Sequence, residues 1–138
     1  MAQPETYKFL ENKNGFFKHN NYHIVEANKD KVILRADITE ESLNPYDIIH
    51  GALIFGLGDT AMGALVREQG DYAVTLNSTI NYLKPGKSDS ITAISELVKK
   101  GKTIYYLKAN IYDADNNLIA SMDANYYIII KKEGIQWQ

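Results

Sequence analysis

Apolar and polar residues alternate along much of this chain, which is the period of a half-buried β-strand. Every second residue from Val32 to Ile38 is apolar, and the pattern predicts two strands, over 22–28 and 31–38. Four later segments are rich in Ile, Val, Thr and Tyr and are also predicted to be strands: 72–83, 90–99, 102–112 and 118–131. The linkers between these four segments suit hairpins and are too short for crossover helices, so we expect an antiparallel sheet.

One long apolar segment interrupts the strands. Pro45 biases Asn44 away from helical geometry and marks a loop. After this loop, residues 50–68 are predicted to form a helix that ends near Gly70. The apolar window is nearly long enough to span a bilayer, but it contains a histidine, an aspartate and four glycines, so we expect a buried helix.

The order of elements predicts the fold class. One long helix among antiparallel strands is typical of an α+β fold in which the strands curl around the helix and bury it. A short amphipathic helix is also predicted over 4–13 and is expected to stop at Gly15. Because no linker or composition shift divides the chain, residues 1–138 are predicted to form a single domain.

Small residues recur on one face of the long helix, at Ala52, Gly56, Thr60 and the pair Gly63-Ala64. A glycine inside a helix costs about 0.5–1 kcal/mol relative to alanine, so several of them need a compensating contact. We expect the sheet backbone to approach the helix closely along this face.

Composition excludes several classes of function. The chain has 138 residues, of which 45% are hydrophobic and 23% charged, enough for a sizeable core. The net charge of −2 provides no overall positive field for nucleic acid or an acidic membrane, and neither is an expected partner. Cysteine is absent, which removes disulfides, thiolate metal sites and a cysteine nucleophile and is compatible with the cytoplasm. The first residues lack a signal-peptide pattern, so we expect a cytoplasmic protein.

The sequence lacks the common motifs for nucleotide binding, serine hydrolysis and metal binding. The chain contains no P-loop, no G-x-G-x-x-G and no G-x-S-x-G pattern. His19 and His23 could chelate a metal if they lay on a helix, but their segment is predicted to be a loop that enters a strand. We therefore expect no metal site and no cofactor.

The long helix carries one acidic residue among apolar neighbours, and that residue needs an explanation. Asp59 is the only charged side chain between Asp47 and Arg67. Burial of an ionised carboxylate without partners is expensive, so the group is neutral, exposed at a cleft or retained for chemistry. The structural alternative is a carboxylate bonded to hydroxyl groups, such as Thr60 or tyrosine side chains.

The residues around Asp59 resemble a known family. Asn44, His50-Gly51 and Asp59 lie in the pattern N-P-x₄-H-G-x₇-D, which is similar to that of hotdog-fold thioesterases of the phenylacetate-degradation (PaaI) type. The downstream segment TLNSTINYLKPGKSD resembles the strand and turn that follow in that family. One difference is that family members usually have His-Gly-Gly where this chain has His50-Gly51-Ala52, which leaves the Gly51 N–H in place.

The resemblance implies a curved sheet around a central helix, homodimers whose sheets join edge to edge, frequent tetramers formed as dimers of dimers, and hydrolysis of acyl-CoA thioesters. By position, Asp59 corresponds to the catalytic carboxylate and Gly51 to the N–H donor for the thioester carbonyl. Asn44 corresponds to a nearby polar helper, and His50 to a residue that fixes the loop or contacts the thioester. Thr75 lies where some members have a hydroxyl that orients water. From the residues alone, His50 could instead be structural and Asn44 could cap the loop.

The spacing of two of these residues has a geometric consequence. Gly51 and Asp59 are eight positions apart, so on one helix they lie about 12 Å apart along the axis. Two groups that act on one carbonyl need contacts of about 3 Å. If both residues act, Gly51 of one chain must therefore meet Asp59 of another. The spacing does not show whether Asp59 activates water or attacks the carbonyl directly.

The strand after the helix is predicted to have two different faces. It presents Val74, Leu76, Ile80 and Tyr82 on one face and Thr75, Asn77, Thr79 and Asn81 on the other. Four uncharged polar residues in a row suit a subunit contact or a substrate channel, although an ordinary edge strand could show the same pattern. Lys84 and Lys87, just beyond this strand, are the predicted contacts for the CoA phosphates.

Three functions remain open at this point. The first is an acyl-CoA thioesterase. The second is a non-catalytic module that binds acyl-CoA, and the third is a dehydratase or hydratase on the same fold. Asp59 favours the thioesterase, because a binding module has no reason to keep an acid at that position.

Overall fold

The computed structural model describes residues 14–131, with one long helix and six strands. The elements, in chain order, are α1 (Gly15–His19), β1 (Tyr22–Ala27), β2 (Lys31–Asp37), a 3₁₀ turn (Glu40–Ser42), α2 (Gly51–Glu68), β3 (Asp71–Tyr82), β4 (Ser90–Lys100), β5 (Ile104–Asp113) and β6 (Leu118–Lys131). The predicted long helix and six strands are confirmed, with boundaries within about two residues.

All six strands form one antiparallel sheet in the order β1-β2-β4-β5-β6-β3. The pairs β1–β2, β4–β5 and β5–β6 are consecutive hairpins, whereas β3 crosses over to lie beside the last strand. β1 and β3 are the edges of the sheet within residues 14–131. The predicted α+β class is confirmed.

Helix α2 packs across the inner face of this sheet because its large apolar residues form one broad stripe. Leu53, Ile54, Leu57, Ala61 and Leu65 follow the i, i+3, i+4 spacing of one helix face and are buried. The alternate residues of β2, β4, β5 and β6 that face the helix complete the core. No helix among residues 14–131 is long and apolar enough to cross a membrane.

The small-residue face of α2 meets the sheet only in part, and through side chains instead of strand backbone. Ala52 is exposed and Thr60 is partly buried, whereas Ala64 is buried, Gly56 faces Tyr22 of β1 and Gly63 faces Tyr126 of β6. Larger apolar side chains release more surface from water when they pack, so the stripe of Leu and Ile residues takes most of the sheet-facing side.

Among the glycines of α2, Gly58 has the least space for a side chain. A Cβ atom there would overlap the sulfur of Met122 on β6. Gly56 is also constrained, because a Cβ there would lie 2.7 Å from the hydroxyl of Tyr22. Each of these glycines is therefore explained by one local contact.

The N-terminal part of the described chain differs from the prediction. The expected helix over 4–13 lies outside the described residues, and Gly15 begins helix α1 instead of ending a helix. Asn14 caps α1, since its side chain accepts a hydrogen bond of 3.1 Å from the N–H of Phe17, which is buried. The prediction that this segment is a loop is wrong because the Asn cap and the burial of Phe17 stabilise one short helical turn.

The predicted faces of β3 are wrong for its first half because the strand contains a bulge. Thr75 pairs with Tyr126 and Asn77 pairs with Asn125, which leaves Leu76 as an extra residue in the ladder. The extra residue shifts the alternation by one position. Thr75 therefore shares the inner face with Ile80 and Tyr82, whereas Val74 points outward and is half exposed.

Candidate active site

Asp59 lies in the third turn of α2, half-buried, where two strands of the sheet reach the helix. Its Oδ1 atom accepts one hydrogen bond of 2.8 Å from Thr75 Oγ1 and another of 2.6 Å from the Tyr126 hydroxyl. The structural alternative of a carboxylate bonded to hydroxyls is therefore present, with Thr75 and Tyr126 as donors. Such bonds stabilise a carboxylate in a partly buried position and leave it available for chemistry.

Tyr126 is the residue at Asp59 that the sequence analysis did not name. It lies on β6, it is 2% exposed, and burial raises the pKa of its hydroxyl, with a further contribution from the charge of Asp59. The hydroxyl is therefore a hydrogen-bond donor over the whole physiological range of pH. A tyrosine in a strand of alternating apolar residues is typical of a core residue. Only the pairing of Tyr126 with Thr75 shows that its hydroxyl points toward Asp59.

The second group of site residues surrounds the start of α2. His50 is the N-cap, and its Nδ1 atom accepts a hydrogen bond of 2.9 Å from the N–H of Ala52. Gly51 is the first helical residue, and its N–H has no acceptor among residues 14–131, as is typical of a helix N-terminus. The hydroxyl of Tyr82 donates a hydrogen bond of 2.8 Å to the carbonyl of Gly51 and so ties the helix start to β3.

Asn44 shapes the loop that leads to this helix start. Its side-chain oxygen accepts hydrogen bonds from the N–H groups of Tyr46, at 2.9 Å, and Ile48, at 3.3 Å. The loop includes Asp47 in a left-handed conformation with φ of 62°. Asn44 thus has the loop-capping role that the sequence analysis left open, and its amide nitrogen has no acceptor within residues 14–131.

A cavity of about 300 Å³ opens beside the start of α2. It is lined by Asn44, Ile48, Ile49, Gly51, Ile54, Tyr82, Lys84, Pro85 and Gly86. Its walls are mainly apolar, with a few polar groups and one cation. This combination is typical of a pocket for a small organic ligand.

The structure places the predicted site residues in two groups. Asn44 and Gly51 line the cavity at the start of α2, and His50 is the N-cap of that helix. Asp59, further along the helix, and Thr75 of β3 do not line that cavity. Gly51 and Asp59 belong to one continuous helix, so their axial separation is about 12 Å. A single chain does not bring the N–H donor and the carboxylate together.

The two lysines that were predicted to contact CoA differ in position. Lys84 lines the cavity, and its charge also contributes, after hydrogen bonds from Asn117, to the lowered pKa of Asp113. Lys87 is exposed and does not line this cavity. Lys84 is the better placed of the two to meet a negatively charged group at the cavity mouth.

The histidines considered for metal binding have other surroundings. His23 Nε2 lies 2.9 Å from Asp37 Oδ2, an exposed contact between neighbouring strands, and His19 lies in α1. Within residues 14–131 no three His, Asp or Glu side chains are grouped so that they could hold a metal ion.

Buried tyrosines determine how the stability of the protein changes at alkaline pH. Burial raises the pKa of Tyr22, Tyr105 and Tyr126 above the ordinary value of 10.0, and the charge of Asp59 adds to the shifts of Tyr22 and Tyr126. Their contribution to stability is complete below pH 10 and is lost as the pH rises above it, because only the unfolded chain can ionise there. We expect the free energy of unfolding to fall by about 1.4 kcal/mol per pH unit for each tyrosine above pH 10.

Urea unfolding at pH 9, 10 and 11 measures this slope. Tyr22→Phe should remove one tyrosine's share of it, although the variant also loses the 2.8 Å hydrogen bond from Tyr22 to the carbonyl of Leu53. A free energy of unfolding that stays level from pH 10 to pH 11 would contradict the prediction.

A family model of the thioesterase superfamily matches residues 46–120, which include His50, Gly51, Asp59 and Thr75. The chain belongs to the thioesterase superfamily. The resemblance that the motif predicted is confirmed, and the helix wrapped by an antiparallel sheet is the hotdog fold of that family.

Two kinds of relative support this membership of the thioesterase superfamily. Acyl-coenzyme A thioesterase PaaI of Escherichia coli is 29% identical over 93 residues, which cover 67% of this chain but only 63% of PaaI. The solved structure of E. coli PaaI has a TM-score of 0.84 at 22% identity and covers 91% of both chains, which shows the shared fold.

Two streptococcal structures are each 30% identical to this chain, with a TM-score of 0.78. One is a protein of Streptococcus mutans bound to acetyl CoA, and the other is a hypothetical thioesterase of Streptococcus pneumoniae with coenzyme A. Both matches cover 82% of this chain, and they cover 92% and 89% of the respective streptococcal chains.

Proposed function

We propose that this protein hydrolyses acyl-CoA thioesters to a free acid and CoA, with no cofactor. The observation that carries the proposal is the carboxylate of Asp59, fixed by the hydroxyls of Thr75 and Tyr126 in the middle of an apolar helix. Membership of the thioesterase superfamily and the CoA ligands of the two streptococcal relatives support the choice of substrate.

The chemistry needs an attacking oxygen and a donor for the oxygen that becomes negative. Asp59 either removes a proton from water, which then attacks the thioester carbon, or attacks that carbon itself. In both routes the C–S bond breaks, CoA leaves as its thiolate and takes up a proton, and the acid is released after addition of water. The N–H of Gly51 stabilises the oxyanion, because it is unpaired and lies at the positive end of the helix dipole.

The separation of Gly51 and Asp59 requires a shared site. We assign the N–H of Gly51 in one subunit and the carboxylate of Asp59 in the other to the same thioester, which makes a homodimer the smallest active unit. The edge strand β3 supports this arrangement, because it is 12 residues long, and Val74 and Leu76 along it are half exposed. Dimers of this kind can associate further into a dimer of dimers.

A comparison with the S. pneumoniae relative supports the role of Asp59 and Thr75. Two further structures of that protein carry single alanine substitutions, one at an aspartate and one at a threonine sixteen positions later. Asp59 and Thr75 are also sixteen positions apart, and here they share a hydrogen bond. The Lys84 ammonium group at the cavity, with Lys87 nearby, would meet the phosphates of CoA.

Thiol release from a panel of thioesters tests the proposal. The panel contains acetyl-, hexanoyl-, palmitoyl-, benzoyl- and phenylacetyl-CoA, so that the best substrate identifies the acyl group that the pocket accepts. We expect turnover with at least one of them. Tight binding of these esters without thiol release would contradict the proposal and would identify a non-catalytic acyl-CoA-binding module.

A further inference from the structure

The two carboxylate oxygens of Asp59 have different surroundings. Thr75 and Tyr126 both donate to Oδ1, at 2.8 and 2.6 Å. Oδ2 accepts no hydrogen bond from the residues that the structure describes. An ionised carboxylate can accept about four hydrogen bonds, so this distribution leaves one oxygen with its full capacity for another partner.

The hydroxyl of Tyr126 contacts the backbone of Asp59 as well as its carboxylate. The same hydroxyl lies 2.8 Å from the backbone carbonyl oxygen of Asp59, so its single proton lies between the main chain and the side chain of one residue. The tyrosine ring lies beside Gly63, one turn further along α2, where an added Cβ atom would be 3.7 Å from the ring. This geometry limits the rotation of the Asp59 side chain relative to the helix.

The sheet determines the direction of both donors. Thr75 and Tyr126 are direct partners in the β3–β6 ladder, and both point to the inner face. Counted back from Ile80 by strict alternation, Thr75 would point outward, and the extra residue Leu76 places it on the inner face instead. Two neighbouring strands therefore direct both hydroxyls at the same oxygen, Oδ1 of Asp59.

We propose that Tyr126 is a positioning residue that fixes Oδ1 of Asp59 and leaves Oδ2 as the oxygen that attacks the thioester or activates water. The proposal rests on the proposed hydrolysis of thioesters. It assigns no contact between Tyr126 and the substrate. Its action is the orientation of Asp59, with Thr75 as the second donor.

The substitution Tyr126→Phe removes the hydroxyl and keeps the ring in the core. We expect kcat to fall about 10- to 100-fold, because a misdirected catalytic group loses the benefit of a near-attack geometry. KM should change little, since the hydroxyl does not touch substrate. A merely structural role would lower the melting temperature without a selective loss of kcat.

Tyr105→Phe is the matched control. Tyr105 lies opposite Tyr126 in the β5–β6 ladder, it is fully buried, and its hydroxyl donates to Asp71 instead of Asp59. We expect this variant to lose thermal stability while its kcat and KM stay those of the wild type. Thr75→Val is the second test variant, at an exposed position, and should lower kcat by a smaller factor with KM unchanged.

The outcomes separate this proposal from the proposed function. If Tyr126→Phe keeps the wild-type kcat while Asp59→Asn is inactive, the positioning role is overturned and the thioesterase stands. If Tyr126→Phe does not fold, an unchanged kcat in Thr75→Val overturns it equally. If Asp59→Asn retains full turnover, the proposed function itself fails.

Discussion

Asp59→Asn is expected to reduce thioester hydrolysis by about 10³-fold or more, because an amide neither attacks a carbonyl nor removes a proton from water. The fold should survive the change. The amide oxygen can take the place of Oδ1 and still accept the hydroxyls of Thr75 and Tyr126. The NH₂ group then replaces Oδ2, the oxygen assigned to the reaction. Thiol release measures the loss, and thermal unfolding should show a melting temperature within a few degrees of the wild type.

The chain offers a matched control for this substitution. Asp123 also accepts a hydrogen bond from a threonine, at 2.6 Å from Thr79 Oγ1, but this pair lies on the outer face of the same two strands. Asp123→Asn should keep wild-type turnover. Equal turnover by Asp59→Asn and the wild type would remove Asp59 from the mechanism.

The second large effect is the recovery of activity when two inactive variants are mixed. Asp59→Asn lacks the carboxylate, and Gly51→Pro lacks the N–H at a helix position that tolerates proline. In a mixed dimer, one of the two shared sites combines the intact Gly51 of one subunit with the intact Asp59 of the other. Random reassembly makes half of the dimers mixed, so the mixture should regain about one quarter of the wild-type activity.

Gly51→Ala is the control for the added side chain. A Cβ at position 51 would lie 3.1 Å from the Tyr82 hydroxyl, so both substitutions displace this half-exposed tyrosine slightly. Only proline removes the N–H. We expect Gly51→Pro to lose about 10²–10³-fold in kcat and Gly51→Ala to lose far less.

The assay requires refolding of a 1:1 mixture, with light scattering to verify that dimers or larger assemblies have formed. An active wild-type monomer, or a mixture that stays at the sum of the two variants' residual rates, would show that each site lies within one chain.

Local sequence patterns predicted most of the fold because the information they need is local. The strand over Lys31–Asp37 and the helix over Gly51–Glu68 each follow one period from end to end. The face of Thr75 was not predictable in this way. Its direction depends on an extra residue in the ladder with β6, which no pattern within β3 reveals.

The candidate site was predicted in part for a similar reason. Asp59 stands out in the sequence because it is charged among apolar neighbours, and the helix start stands out through its motif. Tyr126 does not stand out, because a buried tyrosine in an alternating strand has the same sequence pattern whether it positions another residue or only fills the core. Only the tertiary pairing of β3 with β6 distinguishes the two cases.

The extra residue at Leu76 also determines how this protein should be aligned with others. Thr75 precedes the extra residue, so a relative with a regular strand should keep its hydroxyl sixteen positions after the aspartate and have one residue fewer between that hydroxyl and the position of Ser78. An alignment of this strand then needs a gap of one residue at Leu76. For an engineer, deletion of Leu76 is accordingly a way to straighten the edge strand while Thr75 still lies opposite Tyr126 on the inner face.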